Sequence, residues 1–302
     1  MNNFWNATLR GVIEAITEFL PVSSTGHLFL FADFFPFQGF GESLLEFEDL
    51  FDIFIQSGAI LSVLVLYFPR FYGEAKSLGI WVLRRGDSDR SGFLFYTSLV
   101  IGSSPIMLIG FLLKNNLDQI KSSEYLLGIL GFSWLIGGIF IWVQEKFSLV
   151  GDSNLERRNL DGSSLEEPKA EDGQGSLYFS FRQSIGIGFI QCFALIPGVS
   201  RSLVTIMAGR YFGLSRKEAA EYSFFLAVPV LVAAGVYKLY KHFHILDQEK
   251  FLILAYGTLI SFILCVLIIR WFIGYIRKRS FLVFGYYRIL LGFVVLFYFF
   301  RS

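Results

Sequence analysis

Six nearly continuous apolar runs decide what this chain can become. They lie at about 49–68, 93–113, 124–144, 218–240, 251–272 and 282–300. As helices rising ~1.5 Å per residue, runs of this length cross a hydrocarbon core of ~30 Å. Barrel strands would alternate over about ten residues, and these runs do not alternate. Because backbone in lipid must satisfy its own hydrogen bonds, the runs predict helices. A chain that is 54% hydrophobic, with 36 phenylalanines, is not an ordinary soluble domain. The expectation is an all-α polytopic membrane protein. The net charge of +1 points to no charged partner, and no nucleic acid is expected. Cys192 and Cys265 both sit in apolar sequence and read as core residues, not as a disulfide or metal site. Glu14 and Glu18 interrupt what would be the apolar region of a cleavable signal, so none is expected.

Two further pairs of apolar segments are too short to cross. Residues 4–20 and 27–37 flank the break Pro21-Val-Ser-Ser-Thr-Gly26, and 182–197 and 200–213 flank Pro197-Gly-Val. Each pair fits a re-entrant hairpin, tolerated at depth only where protein or water surrounds it. The breaks resemble each other. Gly11-Val-Ile-Glu14 leads to Pro21-Val-Ser23, and Gly188-Phe-Ile-Gln191 leads to Pro197-Gly-Val-Ser200. Three crossings lie between them, an odd number, so the second copy is inverted relative to the first. The chain therefore divides into a first repeat at 1–144, a polar loop at 145–181 and a second repeat at 182–302. The stretch 145–176 carries eight acidic and four basic residues and is read as a mobile loop. Basic residues cluster in loops on one side, including Arg70, Lys76, Arg84, Arg216, Lys217, Arg277, Lys278 and Arg279. That side should be cytoplasmic, with both termini and the opening of the first hairpin on the other.

Polar residues concentrate at the breaks. Glu14 and Glu18 are four apart, on one helix face, and as neighbouring carboxylates they call for a cation or a proton. A hard divalent ion, Mg²⁺ or Ca²⁺, shared with a substrate phosphate meets that need. Ser23, Ser24 and Thr25 have N-cap character, and one of them should cap the next helix. His27 follows within a turn, and a hydroxyl beside an imidazole is an arrangement for nucleophilic catalysis. In the second break Gly198 allows close backbone approach, and Arg201 falls in the first turn of a helix with Thr205 one turn on. Helix N–H groups and a guanidinium together favour a phosphate. The plainer readings are a water-facing helix for the glutamates and an arginine reaching to headgroups.

EAITEFLPVSSTGH and PGVSRSLVT, in this order, resemble the signature motifs of undecaprenyl-diphosphate phosphatases, bacterial membrane enzymes that recycle the cell-wall lipid carrier. The second motif matches at Pro197, Gly198, Ser200, Arg201, Ser202 and Thr205. Leu203 and Val204 stand where the family has small residues. Gln56, Gln191 and the segment near Glu221 also look like family sequence. The resemblance implies hydrolysis of a polyprenyl diphosphate lipid, a divalent cation, an active site facing the periplasm from the inner membrane, and bacitracin resistance on overexpression. It makes Glu14 and Glu18 the metal-organising residues, Ser24 the favoured nucleophile with Ser23 second, and His27 the proton carrier. Arg201 becomes the phosphate clamp, with Ser200, Ser202 and Thr205 assisting and Ser23, Thr25, Gly198 and Gln56 lining the substrate. A homodimer is left open.

A lipid flippase is the competing reading, since inverted repeats with broken helices are a transporter architecture. A structural or sensor protein ranks last, because it leaves both polar breaks without a role.

Overall fold

The computed structural model describes residues 3–84, 86, 89–160 and 180–301. Helices dominate, and no strand occurs among the described residues. The first half contains α1 (Asn3–Thr17), α2 (Ser24–Phe34), α3 (Leu44–Phe54), α4 (Gln56–Leu66), α5 (Phe68–Leu83), α6 (Ser91–Leu112), α7 (Lys114–Lys121) and α8 (Leu126–Leu160). The second contains α9 (Phe181–Gln191), α10 (Arg201–Tyr211), α11 (Arg216–His242), α12 (Gln248–Ile276) and α13 (Leu282–Arg301). Six helical stretches are long and apolar enough to cross a membrane: Gly41–Leu66, Ser91–Leu112, Leu126–Lys146, Arg216–Ile245, Gln248–Ile276 and Leu282–Arg301. The chain is a multi-pass membrane protein with the six crossings read from the sequence.

Local chemistry sets the helix starts. Ser180 and Ser215 each form a capping box, with Gln183 and Glu218. Asp247 accepts from the Lys250 amide at 2.8 Å. Each such cap satisfies N–H groups that the helix cannot. The first crossing is interrupted at Ile55, which divides α3 from α4. The helices α5 and α7 occupy stretches that the sequence reading left as loops. Pro69 lies in the first turn of α5, and that helix runs so close to α6 that a Cβ on Gly92 would fall 2.0 Å from the Glu74 carbonyl oxygen.

Small residues also set the crossing of α8 and α13. Gly138 packs on Gly285 and Gly131 on Gly292, so that α8 and α13 run antiparallel with backbone almost in contact; Cβ atoms on Gly138 and Gly292 would lie 2.7 and 2.8 Å from carbonyl oxygens. Such contacts drive helix association in lipid, where apolar burial alone gives little. The outer faces remain apolar, with Leu259, Ile263 and Leu267 of α12 and Leu290, Val294 and Phe297 of α13 exposed.

The polar loop begins later than the sequence suggested. Glu145 is not part of it: the residue sits in α8, nearly buried, accepting from Arg216 at 2.9 Å and from the Phe281 amide at 3.2 Å. It ties α8 to the starts of α11 and α13. The rest of the predicted loop, at 161–179, lies outside the described residues.

A second buried charge fixes α1. Arg10 is fully buried and pairs with Glu48 at 2.6 Å and Asp52 at 2.9 Å, while its guanidinium covers the Phe37 ring at 4.6 Å. Asn6, Arg10, Glu14 and Glu18, each four residues after the last, are all buried on the same face. A polar stripe thus runs along α1 into the first break.

Candidate active site

The two breaks meet. The α1–α2 connection, 18–23, packs against the start of α10, and two hydrogen bonds join them. Glu18 Oε1 accepts from Arg201 at 2.9 Å. Ser202 donates to the Leu20 carbonyl at 2.7 Å. Beside them, Phe19 meets Phe224 of α11 edge-on, with ring centroids 4.9 Å apart.

Glu18 is the hub. Its second oxygen, Oε2, accepts from Ser24 Oγ at 2.5 Å. One carboxylate therefore holds a hydroxyl from the first break and a guanidinium from the second, the latter 183 residues away in sequence. Glu18 and Ser24 are 7% and 5% exposed, so both act in a medium where charge interactions are strong. Arg201 also donates to the Ser223 carbonyl at 2.9 Å, and its Nε is buried without a partner, leaving donor capacity for an anion.

The helix starts supply more donors. Ser200 caps α10, accepting from the Leu203 amide at 3.2 Å, and it hydrogen-bonds Ser202 at 2.8 Å. The amides of Ser24, Thr25 and Gly26 at the start of α2, and of Arg201 and Ser202 at the start of α10, have no acceptor among the described residues. Two sets of free N–H groups thus flank Glu18, each at the positive end of a helix.

The hydroxyls of the first break do not cap as expected. Ser23 is the N-cap of α2 but makes no side-chain capping bond, and its φ of 77° places it in the left-handed region. Ser24 is turned to Glu18. The expected pairing of serine with histidine is also different. His27 Nδ1 lies 2.7 Å from the Ser23 carbonyl and Nε2 lies 2.7 Å from the Tyr287 hydroxyl, so the neutral imidazole donates to the first and accepts from the second. The group on Ser24 is a carboxylate, not the imidazole. His27 is half-buried and Thr25 exposed, which opens this turn toward Tyr287 of α13.

Other expected residues take supporting places. Thr205 bonds the Ser223 hydroxyl at 2.7 Å behind Arg201. Gly198 has φ +84°, and a Cβ there would fall 2.9 Å from Ser133 Cβ, so the position admits only glycine. Gln56 is buried at the start of α4, with no hydrogen bond to either break among the described residues. Glu14 is fully buried, and neither of its carboxylate oxygens has a hydrogen-bond partner. Glu18, Asp52 and Arg201 are its charged neighbours. No group of three or more His, Cys, Asp or Glu forms a ready metal cage among the described residues. An orphaned carboxylate beside a second one nevertheless fits a cation completed by water and substrate oxygens, the usual habit of Mg²⁺.

Two residues that the sequence reading missed hold the breaks together. Arg288 of α13 is fully buried and donates to the carbonyls of Pro21 at 3.3 Å, Ser133 at 3.0 Å and Gly198 at 3.0 Å. One guanidinium thereby fastens the apex of both breaks to α8. Trp134 of α8 donates to the Val22 carbonyl at 3.0 Å and fills the space over Gly26, where a Cβ would fall 2.5 Å from the indole. An arginine inside the apolar run 282–300 was the available signal.

The family model for bacitracin resistance protein BacA matches residues 7–294. A protein of Leptospira biflexa named undecaprenyl-diphosphatase is 53% identical over 304 residues, covering 100% of both chains. Proteins with that same name from Leptospira interrogans and Bdellovibrio bacteriovorus are 51% and 35% identical, covering 98% and 97% of this chain and 98% and 95% of their own. With both motifs on one buried carboxylate and the match running nearly end to end, the chain belongs to the bacitracin resistance protein BacA family.

Proposed function

We propose that the two breaks form a single phosphohydrolase site at which Ser24 attacks the terminal phosphorus of undecaprenyl diphosphate. The chain is an integral-membrane phosphatase, hydrolysing that lipid to undecaprenyl phosphate and inorganic phosphate and so recycling the carrier. The observation that carries the mechanism is Glu18, bonded at once to Ser24 and Arg201. As Ser24 Oγ bonds to phosphorus, its proton passes to Glu18 and the bond to the undecaprenyl phosphate oxygen breaks. Water then attacks the phosphoserine, releasing phosphate and returning the proton to Ser24. Phosphoryl transfer is mostly positioning and charge stabilisation. Arg201 and the free amides of α2 and α10 supply it, acting on the equatorial oxygens in a site with little water. His27, held between Ser23 and Tyr287, carries protons between Glu18's surroundings and the open side of the α2 turn.

Glu14 and Glu18 would hold a divalent cation, Mg²⁺ or Ca²⁺. Bound there, it would neutralise charge on the diphosphate. The orphaned state of Glu14 supports this assignment.

The helix pairs α1–α2 and α9–α10 are read as re-entrant hairpins of an inverted repeat. The helices are 15, 11, 11 and 11 residues long, each short of a crossing. Exchanging the halves also exchanges the packing: α1 lies on α12 as α9 lies on α6, and α4 on α12 as α11 on α6. The closest approaches follow suit, Gly11 against Gly257 and Gly188 against Gly102. The loop-charge bias puts the first hairpin at the periplasmic face of the inner membrane. Cysteines at positions 121 and 278 should label from opposite sides.

A flippase would use the same arginine and glutamates but has no use for a hydroxyl on a buried carboxylate. Phosphate release from undecaprenyl diphosphate by detergent-solubilised protein, with and without chelator, tests the reading, because detergent leaves no second side to flip to. Release that chelator abolishes is the expected result; no release from folded protein would contradict it.

A further inference from the structure

Ser23 is held in a conformation that serine avoids. Its φ is 77°, and among the described residues every other positive φ belongs to glycine. An L side chain is strained there, and such a conformation persists only where the surroundings enforce it. Ser23 immediately precedes Ser24, so rotation about its backbone swings the Ser24 hydroxyl relative to Glu18, on which it now sits at 2.5 Å.

The constraint comes from other helices. Three consecutive carbonyls are held: Pro21 accepts from Arg288 at 3.3 Å, Val22 from Trp134 at 3.0 Å and Ser23 from His27 Nδ1 at 2.7 Å. A carbonyl only accepts, so the proton of the neutral imidazole sits on Nδ1. Nε2 is then bare, and the Tyr287 hydroxyl donates to it at 2.7 Å. The two rings are within 10° of parallel, with centroids 5.8 Å apart. Tyr287 and Arg288 are neighbours on α13, and Trp134 belongs to α8. The contacts of Gly131 with Gly292 and of Gly138 with Gly285 bracket all three residues. The turn is therefore clamped by two helices packed backbone to backbone, the kind of support that fixes a reacting group.

We propose that Tyr287 is a positioning residue: through the His27 ring it holds Ser23 left-handed and so keeps the Ser24 hydroxyl on Glu18. Without the tyrosine hydroxyl nothing distinguishes Nε2 as the acceptor, and the ring is free to take the other tautomer and release the Ser23 carbonyl. The clamp is compatible with proton carrying, because a proton taken up at Nε2 leaves the Nδ1–H bond in place. The inference rests on Ser24 as the attacking group.

The test uses the full chain in detergent as parent, Tyr287→Phe, Ser23→Gly and the double variant, with thermal melting to show that each is folded. Nitrogen-15 NMR of the imidazoles reads the tautomer without turnover. The chain has three histidines, and His27→Gln identifies the His27 signal. The parent ring should carry its proton on Nδ1, and in Tyr287→Phe the two tautomers should mix. In phosphate release, Tyr287→Phe should lower kcat about fivefold, the worth of one hydrogen bond. KM should hold within about twofold, since the tyrosine contacts the ring and not the substrate. Glycine takes a positive φ without strain, so in the Ser23→Gly background the same change should cost under about twofold. A parent ring protonated on Nε2 overturns the proposal, as does a folded Tyr287→Phe protein with parental kcat. Equal losses in the two backgrounds also overturn it, because the hydroxyl would then act without the turn. Ser24→Ala, assayed beside them, separates the two failures. Parental turnover in that variant refutes the serine reading, whereas its inactivity beside an unaffected Tyr287→Phe refutes the positioning role alone.

Discussion

Replacing Arg288 with methionine should cost activity far more than stability. The side chain makes three charge-assisted bonds, to Pro21, Ser133 and Gly198. At roughly 1.5–3 kcal/mol each, their loss amounts to about 4.5–9 kcal/mol. Against this stands the cost of burying a guanidinium that only carbonyls accompany, several kcal/mol that methionine does not incur. The two nearly offset, leaving a net change of a few kcal/mol, or about 5 °C in melting temperature for a chain of this length. Catalysis has no such compensation. Without the guanidinium Pro21 and Gly198 lose their shared anchor, and a shift of about 1 Å between catalytic parts costs on the order of 100-fold. The assay is phosphate release from undecaprenyl diphosphate in detergent, with kcat and KM resolved and melting followed on the same preparation. We expect kcat to fall about 100-fold in a protein that still melts cooperatively. Arg288→Lys should not rescue, since one ammonium cannot span three carbonyls in different directions. A folded Arg288→Met protein with kcat close to the parent would refute the idea that this residue positions the breaks.

Other outcomes follow from the same geometry. Ser23→Gly relieves a left-handed φ, so it should stabilise by about 1 kcal/mol and keep most activity, whereas Ser24→Ala should lose at least about 100-fold; phosphate release and melting on both variants separate the two serines. Glu14→Gln removes an orphaned buried charge, so melting temperature should hold or rise while activity falls at least about tenfold, and excess chelator should reproduce the loss in the parent; full parental activity in chelator would remove the cation. Asp247 caps α12, and its bond from the Lys250 amide holds its carboxyl below the usual aspartate range. That contribution is complete above the ordinary aspartate pKa and fades as pH falls through the lowered one, so Asp247→Ala should cost about 1 kcal/mol near neutral pH and less in acid, read by melting across pH.

The crossings were legible because run length is a direct reading of bilayer thickness, and Pro21 and Pro197 marked the breaks. Glu18, Ser24 and Arg201 were legible as polar groups in apolar sequence. Their meeting was not, because nothing local encodes a contact between α1 and α10. The same limit explains the serine: proximity to His27 in sequence suggested an imidazole partner, yet the turn of α2 points Ser24 inward to Glu18 and His27 outward to Tyr287. Arg10 and Arg288 carried a signal as charges at depth, but without the fold neither had a partner to be read against. Glu145 was assigned to the loop because its neighbours in sequence are polar, while its partners Arg216 and the Phe281 amide come from the other half of the chain. The helices α5 and α7 lack a long apolar run, so composition alone did not reveal them.

The central claim is that two breaks, one from each half of the chain, act as one site through Glu18. The most direct measurement is a double-mutant cycle of Ser24→Ala and Arg201→Ala for phosphate release, with folding checked for each protein. Each single change should cost at least about two orders of magnitude, roughly 2.7 kcal/mol of barrier. Groups that work as a unit lose most of their effect with the first removal. The account therefore predicts that the double mutant is about as slow as the worse single mutant. Losses that multiply would contradict it, showing that the serine and the arginine serve separate sites.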